Sequence, residues 1–495
     1  MYEDRILAPQ LMDKVMTADE AAALIKPDMM LGFSGFTTAG FPKAIPKAIA
    51  RQGTATNLTV ITPASTGDEL DGELARAGLM KKRYSFQSTP SLRNAINKGE
   101  IEFSDIHLSH IPKFTDPRFL RRDIDFAIIE CAMVLDDGSI VPTASLGASA
   151  NLVKVAKKVI LEINTTCPTE IYGLHDIVAT TQGVSIPVNA PGDRIGEKSI
   201  PCNPFKIAGI VFTNEIGSTP KFSAANETSQ RIADNIVAFL KEEVAAERLP
   251  ESLVPLQSGV GAVGNAVFAG LKSSGLKDLQ MYTEVVQDSG LYLIKDGIIT
   301  MASTTALSLS EAGLKELYSN LPYYKKHIVI RPQDISNHPG PIKRIGVIAI
   351  NTAAEMDIYG NINSSHATGS SIINGIGGSA DFSRNARLSI FMCPSVGKDG
   401  NLSRIVPMVS HTDNTEHDVN ILVTEWGVAD IRGKSPKERA EVIIENCCHP
   451  DYRPMLREYF ERAKKVATGQ HTPHDLRTCF DWHIRYIETG SMKEQ

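Results

Sequence analysis

Apolar, β-branched runs of strand length recur along the chain, at Leu58–Thr62, Phe126–Glu130, Val159–Ile163, Ile207–Phe212, His327–Ile330, Ile345–Ile350, Leu388–Met392 and Val419–Thr424. Segments with helical periodicity separate many of them. That alternation predicts an α/β fold whose sheets are largely buried. The clearest helix is expected over residues 226–248, where Ile232, Ile236, Phe239, Leu240 and Val244 mark one apolar face and Pro250 follows the end. The polar, breaker-containing stretch Gly217-Ser-Thr-Pro-Lys-Phe-Ser-Ala-Ala just before it is the natural domain boundary. Residues 183–204 carry four prolines and three glycines, and read as a long ordered loop near a site mouth.

The two sides of that boundary resemble each other. Ser34-Gly35 and Gly40 lead into a helix-like 44–51 and then the strand Asn57-Leu-Thr-Val-Ile-Thr62-Pro63. Ser258-Gly259 and its following glycines lead into 262–271 and then Asp278-Leu-Gln-Met-Tyr-Thr283-Glu284. Ten residues separate Ile128 from Gly138, and ten separate Ile350 from Gly360. A duplication follows, with an N-terminal domain over 1–220 and a C-terminal domain over 221–495. Pro63 then stands in the first half where Glu284 stands in the second.

Composition narrows the partners. With 42% apolar and 22% charged residues and a net charge of −6, nucleic acid and anionic membrane are not expected partners. The N-terminal segment Met1-Tyr-Glu-Asp-Arg-Ile-Leu lacks the apolar stretch of a signal peptide, and apolar runs such as Ile345–Ile350 are too short to span a bilayer. Seven scattered cysteines read as reduced thiols of a cytosolic (cytoplasmic) protein. Cys447-Cys448-His449 has no second ligand pair at zinc-finger spacing, so no metal is expected.

The chemistry concentrates in two glycine-rich runs and one acid. Gly259-x-Gly261-x-x-Gly264, with Glu284 following Gly259 by 25 residues, matches a dinucleotide fingerprint. The preceding Pro250–Gln257, with two prolines, does not look like the buried strand such a fingerprint follows. The broader meaning of the glycines is close backbone approach to a ligand, with N–H groups at a helix N-terminus. Asn374-Gly-Ile-Gly-Gly-Ser379 is a second such loop. Two loops of N–H donors and a carboxylate at a strand end make a nucleophile with an oxyanion hole. His411-Thr-Asp413 with His417-Asp418 reads as a polar loop.

Taken together, these segments resemble the acetyl-CoA hydrolase/transferase family, within the class I CoA-transferases. The resemblance is carried by Ser34-Gly-Phe-Thr, Ala64–Ala75, Pro255–Gly261, Tyr282–Asp288, Asp357-Ile-Tyr-Gly360, Asn374–Ser379, Thr424–Gly433 and His449–Pro454, and it runs nearly the whole length of the chain. It implies two similar CoA-transferase-type α/β domains in tandem, with Glu284 as covalent nucleophile and the backbone N–H groups of Val260 and Gly378 as the oxyanion hole. It implies coenzyme A as substrate rather than bound cofactor, held against Gly259, Val260, Gly261, Ala262, Val263, Asn374, Gly378 and Lys398, with a backbone contact near Ala354. A homodimer is also implied. Trp426, beside Glu425, departs from the glutamine frequent in similar proteins.

The expected activity is transfer of CoA between a short-chain acyl-CoA, of the acetyl, propionyl or succinyl type, and a free carboxylate. A glutamate is ionised at neutral pH and needs no general base to attack a thioester. Three alternatives remain at this level: an acyl-CoA hydrolase using the same intermediate, a NAD-dependent oxidoreductase using Gly259–Gly264, and a CoA-binding module without catalysis. If succinate is a substrate, Arg194 in the long loop is the candidate cation for its second carboxylate.

Overall fold

The computed structural model describes residues 4–65, 67–180, 183–217, 219, 226–259 and 261–494. By backbone contact the chain forms two compact units, one of residues up to 221 with 280–345, the other of 222–279 with 346 onward. The expected domains, 1–220 and 221–495, follow the duplication along the sequence. The compact units follow contact, and by contact residues 280–345, Glu284 among them, group with the first unit.

The first unit holds a sheet in the order Ile207–Thr213, Lys158–Asn164, Phe126–Val134, Met30–Phe33, Leu58–Ile61, Met80–Tyr84, Glu102–Ser104. All six neighbouring pairs are parallel. Ile140–Pro142 folds back antiparallel on Phe126–Val134 as a hairpin. The order reverses direction between Met30–Phe33 and Phe126–Val134. In doubly wound sheets such a reversal opens a crevice at the carboxyl ends of the two strands. Met30–Phe33 and Leu58–Ile61 are buried at every position, which explains why their runs do not alternate with polar residues. Leu31, Phe33 and Val60 pack with Ile45, Ile49 and Leu74 in one core. The helix Ala44–Gln52 stops at Gly53, whose φ of 65° serves the left-handed cap that a side chain would resist.

The second unit carries Leu256–Ser258, Ile348–Thr352, Leu388–Met392 and Ile421–Thr424 as neighbouring parallel strands, with Gly427–Asp430 antiparallel beside the last. The long helix is Glu227–Ala245. The side chain of Asn226 accepts the Ser229 N–H at 2.8 Å to start it, and Ile232, Ile236 and Leu240 are buried. Three further helices, Pro436–Cys447, Arg453–Val466 and Asp481–Thr489, contribute to a separate core around Tyr359, Phe391, Ile443 and Phe460.

The ladders make the internal repeat concrete. Phe33 pairs with Ile128, and Ser258 pairs with Ile350. The next residue then donates to the partner carbonyl in both places, Ser34 to Ile128 and Gly259 to Ile350, each at 3.0 Å. So Ser34 answers to Gly259, one residue out from the match of Ser34 with Ser258 that the sequences suggest. Pro63 and Glu284 each stand two residues beyond a four-residue strand, and each is followed by a two-residue strand, Ala64–Ser65 or Val285–Val286.

Candidate active site

Glu284 lies in a bend between Leu279–Tyr282 and Val285–Val286, with its side chain half-buried. Its carbonyl is held by three donors from the end of the neighbouring strand: the Thr304 hydroxyl at 2.8 Å, the Thr305 N–H at 2.9 Å and the Ala306 N–H at 3.1 Å. The backbone under the carboxylate is therefore fixed. Pro63 is held in the same way, its carbonyl accepting the Ser85 hydroxyl at the end of its own neighbouring strand. The same scaffold thus carries a pyrrolidine ring in one copy and a carboxylate in the other.

The Glu284 carboxylate accepts an N–H from the side-chain amide of Asn337, 53 residues away. Asn337 ends the short helix Gln333–Ser336, which is strapped from several sides. Tyr282 donates to the Ile335 carbonyl at 2.8 Å, the Gln333 amide to the Leu108 carbonyl at 3.0 Å, and the Gln333 N–H to the Gly147 carbonyl at 3.0 Å. Burial pushes the carboxyl of Asp334, in the same helix, up to about 6. Asn337 is the partner that sequence reasoning missed. Its only local signal is the break Asn337-His-Pro-Gly, and nothing there points to Glu284.

The other expected residues belong to the second unit. Val260 lies outside the described residues. Gly259 follows the buried strand Leu256–Ser258 directly, contrary to the expectation that no strand leads into the glycine run. Gly261 has φ 125° and begins the helix Ala262–Ser273, which has no side-chain cap. Gly264 packs against the loop: a Cβ there would come within 2.6 Å of the Gly259 carbonyl oxygen. Ala262 and Val263 form the first turn of that helix and are half-buried. Asn374 sits in the second glycine loop, and Gly378 is buried at the N-terminal end of the helix Ser379–Ser383.

Ala354 interrupts what is a continuous strand in the first half. Phe126–Val134 runs nine residues, whereas its counterpart breaks at 353–354 between Ile348–Thr352 and Glu355–Asp357. The Ala354 carbonyl accepts from Arg404 at 3.0 Å, and the Arg404 guanidinium lies over Gly397, next to Lys398. Ala354 and the Lys398 turn are thereby brought together within the second unit. Lys398 is exposed, with φ 51°. Trp426 is 40% exposed, with its indole N–H on Ser395 at 3.0 Å and the Arg231 guanidinium over its ring.

Arg194 is not available for a substrate carboxylate. Its guanidinium donates to the carbonyls of His175, Lys325 and Ile328 and ties down the long loop. Cys447 and Cys448 are buried, and burial raises both thiols, Cys448 to about 12, so neither presents a thiolate.

Comparison with known proteins decides the family. The acetyl-CoA hydrolase/transferase N-terminal domain matches residues 3–211, and the corresponding C-terminal domain matches 313–460. The chain belongs to the acetyl-CoA hydrolase/transferase family. It is 47% identical to the succinyl-CoA:acetate CoA-transferase of Clostridium kluyveri, over 99% of this chain and 92% of that protein. It is 42% identical to the propanoyl-CoA:succinate CoA transferase of Escherichia coli, over 96% and 98%. It is also 42% identical to the acetyl-CoA hydrolase of Schizosaccharomyces pombe, over 100% and 99%. Among solved structures, RipA from Yersinia pestis has the same fold, with a TM-score of 0.71 at 23% identity over 94% of this chain and 98% of that one. The fold is thus the tandem α/β architecture of the CoA-transferases, and the chain is an enzyme of the CoA-transferase and hydrolase kind. Among the described residues no helix is long and apolar enough to cross a membrane.

Proposed function

We propose that the protein transfers CoA from a short-chain acyl-CoA to a free carboxylate, through a glutamyl-CoA thioester on Glu284. The observation that carries this reading is the Glu284 carboxylate itself: half-buried on a backbone pinned by three donors, where the duplicated scaffold otherwise has a proline. The Asn337 amide donates to one carboxylate oxygen and so orients the group.

The steps balance without an added base. A Glu284 oxygen attacks the thioester carbonyl carbon, the C–S bond breaks, and a mixed anhydride forms with CoA thiolate as leaving group. The thiolate then attacks the glutamyl carbonyl, giving the glutamyl-CoA thioester and releasing the donor carboxylate. An acceptor carboxylate reverses both steps. Each tetrahedral species bears an oxyanion. The reading takes its two donors from the N–H groups of Val260 and Gly378, each worth roughly 10²–10³ in rate. The CoA arm would lie along Gly259, Gly261, Ala262, Val263, Ala354, Asn374 and Lys398, supplying remote binding energy that holds the reacting atoms together. The relatives' succinyl, acetyl and propanoyl groups define the substrate range to examine first. Cytosolic residence and a homodimer complete the reading. Six of the seven free cysteines are buried, consistent with a chain that keeps its thiols reduced.

Hydrolysis of acyl-CoA through the same intermediate is a second reading, favoured by the hydrolase from Schizosaccharomyces pombe. One preparation tests both. Wild-type protein is incubated with acetyl-CoA, reduced with borohydride and mapped by mass spectrometry, while thiol release is followed with and without a carboxylate acceptor. Modification confined to Glu284, with little thiol release, is expected. Transfer that continues with Glu284 unmodified would overturn the mechanism, and thiol release independent of acceptor would move the assignment to hydrolase.

A further inference from the structure

Arginines in this molecule are generally spent. Arg83 pairs with Asp71, Arg331 with Asp176, and Arg432 with both Glu243 and Asp430. Arg194 and Arg344 are committed to backbone carbonyls. Arg404 differs. It is half-buried, yet among the described residues no carboxylate lies within salt-bridge distance of it. Among the described residues the guanidinium makes one hydrogen bond, from Nη1 to the Ala354 carbonyl, and Nε is buried without a partner. Two acids of this region are engaged elsewhere: Glu425 accepts the N–H and hydroxyl of Ser395 at 2.8 and 2.6 Å, and Glu355 accepts from Asn363, Ser410 and His483. Withdrawing a cation from water without a counter-charge is costly, so a half-buried arginine with donors to spare points to an anion that is not part of the chain.

The surroundings keep that guanidinium approachable. A Cβ on Gly397 would stand 3.4 Å from Nη2, so a side chain there would cover that donor, which, unlike Nε, is not buried. The next residue, Lys398, is an exposed cation that also lacks an acidic partner among the described residues. Two cations of different kinds therefore stand close along this part of the second unit, a planar fork beside Gly397 and a point charge on the next residue.

We propose that Arg404 is a phosphate ligand for the nucleotide end of coenzyme A, acting with Lys398. This rests on the reading of the protein as a CoA-dependent enzyme and deepens it: the guanidinium would take a phosphate oxygen through Nη2, while Nη1 stays on Ala354. The phosphate is either the 3′-phosphate or the diphosphate of CoA.

The test compares wild type, Arg404→Gln, Arg404→Lys and Gly397→Val. Binding of CoA, 3′-dephospho-CoA and pantetheine is measured by calorimetry, and transfer kinetics with acetyl-CoA and acetyl-pantetheine. Arg404→Gln should raise Kd for CoA by about 10- to 100-fold and lower kcat/KM for acetyl-CoA by a similar factor, as for loss of a charge-assisted contact. Gly397→Val, which keeps the Arg404 bond to Ala354, should weaken CoA in the same direction, and Arg404→Lys should recover part of the loss. None of the three should change KM for acetyl-pantetheine, which has no phosphate. If the Arg404→Gln deficit vanishes with 3′-dephospho-CoA, the 3′-phosphate is the partner; if it persists, the diphosphate is. An equal loss on acetyl-pantetheine would make Arg404 a prop for the Ala354 loop and overturn the proposal, as would unchanged CoA affinity in all three variants. A wild type that binds no CoA would instead remove the functional reading on which the proposal stands.

Discussion

The turn that leaves the sheet at Ser34 and the turn that leaves it at Gly259 are copies of one piece of chain put to different use. In the first, the helix Ala44–Gln52 begins beneath Glu162, whose carboxylate accepts the N–H groups of Lys43, Ala44 and Ile45 at 2.6, 3.1 and 3.0 Å. Lys43 is buried and pairs with Glu130, which also accepts from Thr143 at 2.9 Å and Asn164 at 3.2 Å. The positive end of the helix is answered by the protein's own acid. In the second copy, the ladder registers put Thr352 where the first has Glu130 and Met392 where it has Glu162. Its helix, Ala262–Ser273, starts with no side-chain cap. Among the described residues, the cavity beside Lys43 and Glu130 is about 40 Å³, enough for water and far too small for a nucleotide. One copy supplies its own anion; among the described residues, the other has Thr352 and Met392 at the places of the two acids, beside the loop where the proposed function seats CoA.

If that contrast is right, the first copy should depend on its internal charges for stability and the second should not. Lys43→Met gives the largest expected effect. It leaves Glu130 buried without its cation, and breaking a buried pair in this way costs about 3–5 kcal/mol of unfolding free energy, read from urea denaturation. A loss below about 1 kcal/mol, the scale of one ordinary hydrogen bond, would mean that Thr143 and Asn164 suffice for Glu130. The charge pair would then not be what closes this copy.

How much of this was legible in the sequence follows from what each feature depends on. The buried strands Leu58–Ile61, Leu388–Met392 and Ile421–Thr424 announce themselves because every position is apolar or small, as does the long helix with its one apolar face. Met80–Tyr84 was hidden by Lys81, Lys82 and Arg83, and Arg83 is buried only because Asp71 meets it. Leu256–Ser258 was hidden by the prolines upstream and its three-residue length. The strand expected at 345–350 begins at Ile348, because Pro339–Ile345 is helical. In the candidate site, its place at a strand end after a glycine run marked Glu284 as a candidate, and its proposed role as nucleophile came from the family resemblance. Asn337 and Arg404 were not legible, since each matters through a contact 50 or more residues away. Arg194 misled for the same reason: a cation in a loop looks available until its carbonyl partners are known.

A second way to probe the contrast acts on the other copy. Gly264→Ala places a methyl group within 2.6 Å of the Gly259 carbonyl oxygen, so the backbone of the loop must move. If that loop seats the CoA thioester, kcat/KM for acetyl-CoA should fall about 100-fold, as for a displacement near 1 Å of a positioned group. Thermal stability should fall less than in Lys43→Met. The two substitutions would then separate the copies by what each damages, fold in the first and turnover in the second. Equal losses of stability with turnover retained in the folded fraction of Gly264→Ala would erase the distinction.

The finest probe is the titration of Glu162. Burial raises its carboxyl above the ordinary 4.5, against the lowering effect of the Lys43 and Ile45 N–H groups and the Lys43 charge. The native state therefore holds this proton more tightly than the unfolded chain does. Its contribution to stability is greatest below the ordinary value, declines as pH rises from there through the raised native value, and stays reduced above it. Glu162→Gln cannot titrate, so the stability difference between variant and wild type should shift in favour of the variant across that window, by less than either effect above. Paired urea midpoints from about pH 4 to about pH 8 bracket the carboxylate range and read the sign directly. A shift in favour of wild type would mean that the helix terminus attracts the carboxylate more strongly than burial repels it. That outcome would also bear on the second copy, because the same loop-and-helix geometry would then draw an anion from solution with comparable force.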